Sequence, residues 1–575
     1  MAPAARRHLG PRAPRPRRRA AGGHAAGAHR TQTAPEVHHV SRAEQAARPH
    51  TAREVEQKFR VHGLFRIPDL STLAGVSAVD DLGVVELESA YYDTPDLRLA
   101  REGITLRRRV TRTLGGETNL GRAGGDEGWH LKLPAGGVGV RDEIRLPLEP
   151  GAEGDGRPAA GPRTPPAALA VLVRVITRTE PLVLVSTLRT TRARQVIRDG
   201  DGDVGELVDD TVHVVGSDGT IAARFREIEL EELRGGPLIA TVAAALGDAG
   251  AVGGEFVAKA VRALGPNAAA PPEVPVFPVP KAKDPARDTL VAYLSTHVRA
   301  LRAADIAFRR EPADPEAVHQ LRVAARRLRS GLRTFRPLLD KPWAEQLRTE
   351  LAWFAGSLGE LREGDVLRER LDRHCADLPS DLPAAEVKQL LAEVLGGTVA
   401  DARARVAELL DDDRYFALHD HLVRAVARPL VGPDAERPAR DVLPPLVEKA
   451  WTRLDRAAEG LTDADADDEW HDARLAAKRT RYAAEAVVPT LGGDAKAFAR
   501  QIEKVTEILG EHQDAAMAAA KARELANSEH ASADVAFALG VLASNERARV
   551  HAARAAFAEA WPQVRRVKWR RWLEP

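Results

Sequence analysis

Residues 318–335, in the C-terminal half of the chain, carry five arginines and one histidine. At helical pitch, five of these six cations follow a 3-4-3-4 spacing and form one stripe: His319, Arg322, Arg326, Arg329 and Arg333. No acidic residue lies between His319 and Arg333, although like charges one turn apart repel each other. A solvated helix face normally mixes both signs of charge. The stripe therefore indicates either an unusually basic solvated face or a surface that binds an anion.

A second charge pattern, in the N-terminal half, has the two-residue period of β-strands. Glu54, Glu56 and Lys58 would share one face of a strand. The same alternation recurs in four further segments, through Arg107 and Arg109, His130 and Lys132, Arg141 and Glu143, and Glu227, Glu229 and Glu231. In one strand, this pattern is typical of a sheet with one face in the core and one in water. Repeated in five or six strands, it predicts a barrel with a charged lumen.

A lumen of this composition suits the chemistry of phosphate. Mg²⁺ takes oxygen ligands and typically binds one or two carboxylates together with substrate phosphates. Arginine and lysine bind phosphate oxygens, and phosphoryl transfer to water needs mainly positioning and charge neutralisation. The pattern predicts a metal-dependent hydrolase of a phosphate chain. The sequence has no GxxxxGK[ST] loop, which excludes a P-loop enzyme.

The elements that would position these residues differ between the two halves. In the first half the apolar pattern is short and alternating, which predicts strands at residues 54–59, 104–110, 129–134, 142–148, 181–197, 204–210 and 225–233. A helical segment follows at 238–264, and the seven prolines of residues 265–285 predict a semi-rigid linker. From 286 to 570 the apolar period is 3.6. The sequence thus predicts an α+β two-domain protein, with an antiparallel β-barrel at 51–264 and an all-α domain at 286–570.

Length and composition limit the number of domains, the compartment and the possible membrane segments of the chain. A chain of 575 residues is too long for one core, and its net charge of +1 does not identify a partner. The single cysteine, Cys375, excludes an intrachain disulfide and fits a reducing compartment, so we expect a cytoplasmic protein. No apolar run has the length of a membrane helix. Residues 1–50 begin with an arginine-rich segment and predict a disordered basic tail, or sequence upstream of the true start.

The helical half contains an internal repeat. His471, Arg474, Lys478 and Arg481 repeat the first 3-4-3 spacing, and His471 follows His319 by 152 residues. Leu358-Gly359-Glu360 also recurs as Leu509-Gly510-Glu511, at an offset of 151. Two motifs at nearly the same offset predict two helical bundles whose basic helices share one surface.

The first half resembles CYTH domains, the triphosphate tunnel family, over about residues 50–233. The resemblance rests on four segments in the family order: EVEQK (54–58), YYDTPDLRLAREGITLRRR (91–109), WHLKLP (129–134) and REIELEEL (226–233). It implies a β-tunnel that binds triphosphate with Mg²⁺ or Mn²⁺ and, in most bacterial members, hydrolyses it. It also implies metal binding by Glu54, Glu56, Glu227 and Glu229, with phosphate binding by Lys58, Arg107, Arg109 and Lys132. On this resemblance Glu54, Glu56 and Lys58 are the candidate catalytic residues.

Two further positions have competing candidates. The resemblance implies another phosphate-binding arginine, for which we favour Arg192 over Arg189 and Arg194, and another metal-binding acid, for which we favour Asp210 over Asp209. The family also includes adenylate cyclases and thiamine-triphosphate hydrolases. The tunnel motifs therefore leave the substrate open.

The second half resembles the CHAD domain, a helical module that often follows CYTH. The segment DPEAVHQLRVAARRLRSGLRTFRPLL (314–339), the second histidine helix and the LGE turns carry this resemblance. It implies binding of inorganic polyphosphate by two sets of residues: His319, Arg322, Arg326, Arg329 and Arg333, then His471, Arg474, Lys478 and Arg481. In the second copy HQDAAM replaces REGDVL, and fewer arginines follow the histidine. The second copy is expected either to bind more weakly or to shape the groove.

Together these features predict a divalent-metal-dependent hydrolase of inorganic triphosphate or polyphosphate, whose helical domain binds polyphosphate. One alternative is a non-catalytic polyphosphate-binding protein, and another is a tunnel enzyme acting on ATP or thiamine triphosphate. Aromatic residues make up only 4% of the chain, which argues against nucleic acid as the partner of the basic helices. Association with polyphosphate granules would follow from polymer binding.

Overall fold

The computed structural model describes residues 50–112, 127–137, 139–148, 164–216, 218–254 and 257–574. The predicted basic tail of residues 1–50 lies outside this part of the chain, except for His50, which already belongs to the first strand. Within the described ranges, no helix has the length and apolar composition needed to cross a membrane.

Eight antiparallel strands form a closed barrel. They are β1 (His50–Arg60), β2 (Ala78–Asp93), β3 (Thr105–Arg112), β4 (Gly128–Pro134), β5 (Val140–Leu146), β6 (Val183–Asp199), β7 (Gly202–Val215) and β8 (Ile221–Glu232). The order around the barrel is β1-β8-β7-β6-β2-β3-β4-β5, and pairing of β5 with β1 closes it. A short strand, β9 (Val252–Gly253), pairs with the end of β1. This architecture confirms the predicted antiparallel barrel.

The sequence pattern missed two strands: the long β2, and the two-residue β9, which interrupts the helical segment predicted at 238–264. Each of the seven predicted segments overlaps an observed strand, but no segment was predicted over Ala78–Asp93. The register of β2 against β6 shifts between Asp81 and Gly83, and Gly83 has a φ of 83°. Such a β-bulge adds a residue to one strand, so the two-residue alternation that identifies strands is interrupted there.

Helices cover the outer, apolar face of the barrel. The barrel domain contains α1 (Arg98–Arg101), α2 (Ala167–Ala170), α3 (Arg174–Thr177), α4 (Pro237–Asp248) and α5 (Lys259–Leu264). Leu238, Val242 and Leu246 of α4 pack in one cluster with Phe59 of β1 and Leu230 of β8. Successive side chains of a strand point to opposite faces of the sheet. Because these apolar side chains are buried outside the barrel, the charged side chains that alternate with them point into the lumen.

The second half is all-α, as predicted. Its helices are α6 (Ala286–Arg310), α7 (Pro315–Thr334), α8 (Lys341–Ser357), α9 (Gly359–His374), α10 (Ala384–Leu409), α11 (Asp413–Ala427), α12 (Ala439–Ala458), α13 (Asp467–Leu491), α14 (Gly493–Ala526) and α15 (Ala533–Val564). The stripe helix α7 is capped by Asp314, whose side chain accepts a hydrogen bond from the Glu316 amide.

The two copies of the LGE motif differ in structure. In the first copy, Leu358 separates α8 from α9. In the second copy, Leu509-Gly510-Glu511 lies inside the continuous helix α14. The expectation of a turn at both positions is therefore wrong for the second copy. The change to HQDAAM accompanies an uninterrupted helix.

The predicted linker of residues 265–285 is docked against both halves. Val274 is fully buried in the core of the helical half. Glu273 accepts hydrogen bonds from Arg178 of the barrel domain (2.6 and 3.0 Å) and from Arg302 of α6 (2.9 Å). Arg302 also donates to Glu102 of the barrel domain at 2.8 Å. Ion pairs thus fix the orientation of the helical half relative to the barrel.

Candidate functional site

Strand β1 places two carboxylates and an ammonium in the barrel lumen. Glu54 and Glu56 are buried, and both line the internal cavity together with Lys58. Phe59 has the opposite parity and packs in the outer apolar core. The i, i+2, i+4 spacing predicted from sequence therefore corresponds to one inward-facing row.

A buried acidic cluster faces this row. Asp210 of β7 lies opposite Glu227 of β8 in the strand register, and Glu229 is two residues further along β8. Lys259 of α5 reaches all three carboxylates, with its Nζ 2.9 Å from Asp210 Oδ2, 2.9 Å from Glu227 Oε1 and 2.7 Å from Glu229 Oε2. The Lys259 ammonium thus lies at the position where the predicted metal-binding acids converge.

Lys58 links the β1 row to the same cluster. Its ammonium pairs with Glu229 and lies 3.6 Å from Glu56 Oε2 and 3.8 Å from Glu227 Oε1. Burial lowers the pKa of Lys58 to about 8, although the nearby carboxylates of Glu56 and Glu227 raise it. Lys58 is thus a buried cation whose charge depends on its acidic neighbours.

The other side of the lumen contains a second set of ion pairs. Lys132 donates to Glu54 Oε1 at 2.6 Å and lies 3.7 Å from Glu143 Oε1. His130 Nδ1 lies 2.9 Å from the same Glu143 oxygen. Burial lowers the pKa of His130 to about 4, so this imidazole is neutral at pH 7. Glu143 thus holds both Lys132 and His130 in the lumen.

The predicted phosphate-binding arginines also point inward. Arg107 and Arg109 are buried and line the cavity, where Arg107 Nη2 lies 3.8 Å from Glu143 Oε1. Arg192 lines the cavity as well and makes a bidentate pair with Asp210 at 2.7 and 2.8 Å. Arg141, which belongs to the alternating charge pattern but was not assigned a site role, also lines the cavity and donates to the Gly103 carbonyl oxygen at 3.2 Å.

The structure separates Arg189 and Asp209 from the favoured candidates by strand parity, and Arg194 by its ion-pair partner. Arg189 is more than half exposed and pairs with Glu88, whereas Arg194 pairs with Glu206. Asp209 faces outward and binds Arg226 at 2.6 and 2.8 Å, whereas Asp210 is fully buried. Arg192 and Asp210, the candidates favoured from sequence, are therefore the ones that the structure places in the lumen.

Two lumen carboxylates differ in their protonation. Burial raises the pKa of Glu56, but Lys58, Lys132 and Lys259 outweigh this effect and bring the value to about 2. For Glu231, burial and the neighbouring charge of Glu54 raise the pKa to about 7. Glu231 lines the same cavity and is therefore the lumen carboxylate that changes charge near neutral pH.

The donor set of the lumen fits a hard divalent cation. No group of three or more His, Cys, Asp or Glu residues is arranged as a metal site in the described part of the chain, because lysines hold the carboxylates. One buried oxygen in each of Glu54, Glu227 and Glu229 nevertheless lacks a hydrogen bond of good geometry. Carboxylate oxygens are the ligands that Mg²⁺ and Mn²⁺ prefer, and such a cation could replace the charge of an ammonium here. Side chains fill most of the space, since the remaining cavity measures about 70 Å³.

In the helical half, the two copies of the repeat meet at one cavity of about 360 Å³. The first copy contributes His319, Arg322 and Arg326 from α7, and the second contributes His471, Arg474 and Lys478 from α13. Sequence analysis predicted that the two basic helices share a surface, and the structure brings these six residues together. We call this space the first helical cavity.

Several cations of the first helical cavity have little or no acidic partner. Arg322 pairs with Glu363 at 2.9 Å, but Arg474 comes no nearer than 4.0 Å to Asp514. Lys478 makes no ion pair or hydrogen bond with any residue that the structure describes. Burial and the adjacent guanidinium of Arg474 lower the pKa of Lys478 to about 7. The cavity therefore has an excess of positive charge that an anion would relieve.

The remaining stripe residues lie elsewhere. Arg333 lines a separate cavity with cations of other helices. The pKa of Arg329 is lowered by burial and by Arg348, Arg479 and Arg322. Arg481 lies apart from both cavities, because its guanidinium pairs with Glu503 and, at 2.7 Å, with Glu485. The 3-4-3 spacing therefore does not bring Arg481 to the shared surface.

Several functional candidates lie on elements whose sequence pattern does not identify them. Lys259 was assigned only to a helical segment, and no pattern in KAVRAL marks it as a buried cation. Arg348 and Arg453 are isolated arginines on α8 and α12, and only the packing of those helices against α7 brings them to one cavity.

Comparison with known proteins matches each half of the chain to a known domain family. The CYTH domain model matches residues 52–235 and the CHAD domain model matches residues 292–523. Two curated relatives from Mycobacterium tuberculosis strains, "Uncharacterized protein MT2285" and "Uncharacterized protein Rv2226", are each 30% identical over 502 residues. Each match covers 83% of this chain and 90% of the relative.

Two solved structures are similar to parts of the chain. "PptA from Streptomyces chartreusis" is 30% identical, with 48% of this chain and 99% of that chain covered and a TM-score of 0.42. The CHAD domain from the plant Ricinus communis is 25% identical, with 51% and 96% covered and a TM-score of 0.41.

Proposed function

Because the chain belongs to the family in which a CYTH domain is followed by a CHAD domain, we propose that it hydrolyses inorganic triphosphate or polyphosphate. In this proposal the barrel is a divalent-metal-dependent phosphoanhydride hydrolase. The helical domain binds the phosphate polymer on its basic cavities.

One observation carries the enzymatic part of the proposal. Carboxylates and cations of seven of the eight strands converge in one buried lumen, with the predicted metal-binding acids on β1, β7 and β8 and the predicted phosphate-binding arginines on β3 and β6. An ordinary core would not retain this many buried charges, because each costs several kcal/mol to desolvate. A site that must hold both a cation and a phosphate chain requires such a mixture.

Each row of the lumen has a separate role in the proposal. Arg107, Arg109 and Arg192 bind and orient the phosphate oxygens through charge-assisted hydrogen bonds. Lys58 and Lys132 neutralise the negative charge that accumulates on the chain during cleavage. These cations already face carboxylates in the lumen, so a phosphate chain exchanges one set of anionic partners for another.

The carboxylates form the complementary row. Glu54, Glu56, Asp210, Glu227 and Glu229 would hold Mg²⁺ or Mn²⁺, which supplies Lewis acidity and charge neutralisation when bound. Lys259 already neutralises three of these acids, so its ammonium would have to give up part of its contacts.

A phosphate-release assay with and without Mg²⁺ or Mn²⁺ tests the proposal. Tripolyphosphate, long polyphosphate, ATP and thiamine triphosphate form the substrate panel, so the same assay distinguishes the alternative triphosphates. We expect metal-dependent release from at least one inorganic substrate. Absence of release from all four would leave a non-catalytic polyphosphate-binding protein as the better account.

Glu54→Ala and Glu56→Ala variants connect that activity to the lumen. We expect kcat/KM to fall by about a hundredfold or more, which corresponds to about 3 kcal/mol of transition-state stabilisation. Glu88→Gln, on the outer face of β2, is the matched control and should keep parent activity. Near-normal turnover of both alanine variants at saturating metal would exclude the two carboxylates as metal ligands.

A further inference from the structure

We propose that the helical domain contains a second anion-binding cavity, which follows the first along α7 and gives the domain its preference for long phosphate chains. This inference rests on the proposed binding of polyphosphate. It adds a site, made mainly by residues outside the histidine-arginine stripe, and a consequence for chain length.

The second helical cavity lies where α7, α8, α12 and α13 meet. It measures about 550 Å³, larger than the first cavity. Its lining includes one stripe residue, Arg333, and six cations from outside the stripe: Arg336, Lys341, Arg348, Lys449, Arg453 and Arg479. Among the described residues, no aspartate or glutamate lines this cavity.

Few of these cations are neutralised by acidic side chains of the described chain. Arg348 pairs with Glu345, one turn earlier on its own helix. Within the described chain, no ion pair reaches the other six cations. Exposed cations often lack partners individually, but six around one concave space face mutual repulsion that an anion would relieve.

The lowered pKa of Arg333 reflects burial together with this repulsion. Burial, together with the guanidinium groups of Arg479 and Arg348, lowers the pKa of Arg333 to about 10. Arginine keeps its proton under nearly all conditions, so the cavity concentrates positive charge strongly at this position. Multivalent anions are the ligands that such a field attracts.

The opposite side of the α7–α13 pair shows that this excess of charge is specific to one face. On that side Arg327 pairs with Glu485, and Arg481 pairs with Glu485 and Glu503. The chain therefore supplies acids where arginines only hold helices together. It supplies none, among the described lining residues, at the second helical cavity.

The two cavities are consecutive along the stripe helix. Arg322 lines the first cavity and Arg333 lines the second. Eleven residues of α-helix separate them, which is a rise of about 16 Å. Arg329 lies between them in sequence and experiences both groups of charges, since Arg348, Arg479 and Arg322 all lower its pKa after burial. A long phosphate chain could contact both cavities at once, but tripolyphosphate is too short to do so.

The lining favours a phosphate polymer over a nucleic acid. Among the described residues that line the second cavity, none is aromatic, so bases would have nothing to stack on. Serine, threonine and alanine fill the spaces between the cations, which leaves backbone phosphate charge as the recognised feature. Inorganic polyphosphate provides that charge without bases.

The test measures binding of tripolyphosphate and of long-chain polyphosphate to the full chain in EDTA, where no metal supports hydrolysis. The test variant is Arg348→Gln/Arg453→Gln/Arg479→Gln. The control removes three exposed arginines elsewhere on the helical domain, Arg373→Gln/Arg437→Gln/Arg440→Gln. A double variant of two exposed lysines, Lys341→Gln/Lys449→Gln, provides an independent test if the triple variant does not fold.

We expect the triple variant to lose about tenfold or more in affinity for long chains, and the slope of log affinity against log salt to fall by about two. Its affinity for tripolyphosphate should match that of the parent. Parent-like binding of long chains by both test variants, or equal losses for short and long chains, would overturn the second cavity. If the parent binds neither polymer, the proposed polyphosphate-binding function itself fails, and this inference with it.

Discussion

The barrel lumen and the helical cavities both concentrate arginine and lysine, but they neutralise these cations differently. In the lumen, Lys259 contacts three carboxylates within 3 Å. In the first helical cavity, Lys478 contacts no acid that the structure describes, and in the second no acid lines the wall. Several lumen cations thus have close carboxylate partners without a ligand, whereas the cations of the helical cavities have few such partners.

The difference indicates how each site would use a phosphate chain. In the lumen, a chain and a cation must displace existing ion pairs, so binding is favourable only when both arrive in the correct geometry. That requirement suits a catalytic site, where positioned groups act on the transition state. In the helical cavities, any multivalent anion gains from the unneutralised charge, which suits capture of a polymer with little geometric selection.

The largest contrast is expected in stability. Lys259→Met leaves three buried carboxylates with fewer cations, and removal of one partner of a buried pair typically costs 3–5 kcal/mol. We expect the barrel to unfold at a Tm lower by about 6–12 °C for a cost of about 3 kcal/mol. Added Mg²⁺ should restore part of the loss.

Lys478→Met is the matched substitution in the first helical cavity. Because Lys478 makes no ion pair or hydrogen bond with the described residues, we expect an unchanged or slightly higher Tm for the helical domain. Thermal unfolding followed by circular dichroism measures both variants. Equal destabilisation by the two substitutions would contradict the distinction between lumen cations that are paired with carboxylates and cavity cations that are not.

A smaller effect is expected for the lumen arginines. Arg107→Ala and Arg109→Ala should each reduce kcat/KM by about 5- to 150-fold, which corresponds to about 1–3 kcal/mol, the cost of a lost charge-assisted hydrogen bond. Steady-state kinetics with tripolyphosphate measures the change. If the variants unfold without ligand instead, these residues stabilise the barrel rather than bind the chain.

The smallest effects are expected in pH dependence, with opposite signs in the two regions. Burial and Glu54 raise the pKa of Glu231 to about 7, so a rise in pH through 7 adds negative charge beside Glu54 and Glu56. Metal-dependent activity should therefore increase from pH 6 to pH 8. Glu231→Gln should remove that increase, and an unchanged profile in this variant would exclude Glu231 as its source.

In the first helical cavity, the same pH change should weaken binding. Burial and Arg474 lower the pKa of Lys478 to about 7, so its positive charge is present below pH 7 and lost above it. Affinity for polyphosphate should fall from pH 6 to pH 8 by up to about tenfold, the effect of one charged contact. Lys478→Gln should flatten the profile and Lys478→Arg should keep tight binding at pH 8. A parent-like slope in the Gln variant would assign the effect to another group.

Sequence patterns predicted the features that depend only on the spacing of side chains along one strand or helix. The two-residue alternation of Glu54, Glu56 and Lys58 predicted their shared face, because strand geometry fixes side-chain direction. The choice of Asp210 over Asp209 rested instead on the resemblance to the CYTH family. The bulge at Gly83 concealed β2, since an inserted residue breaks the alternation on which the prediction depends.

Features that depend on tertiary packing were not predictable in this way. Lys259 becomes the central cation of the lumen only because α5 docks at the barrel. Arg481 has the spacing of the stripe, but α14 places Glu503 beside it. The second helical cavity combines one or two cations from each of α8, α12 and α13 with the stripe helix α7, and no local pattern connects them.

The most direct test of the division between the two regions is a comparison of phosphate release from tripolyphosphate and from long polyphosphate. The parent and the variant Arg322→Gln/Arg326→Gln/Arg329→Gln/Arg333→Gln, checked for helicity by circular dichroism, are measured at 150 mM salt with saturating Mg²⁺. We predict that the variant hydrolyses tripolyphosphate at the parent rate, because its lumen is unchanged, but shows a KM for long polyphosphate at least about tenfold higher. An unchanged KM for the long polymer, or an equal loss with both substrates, would contradict the assignment of polymer binding to the helical domain and hydrolysis to the barrel.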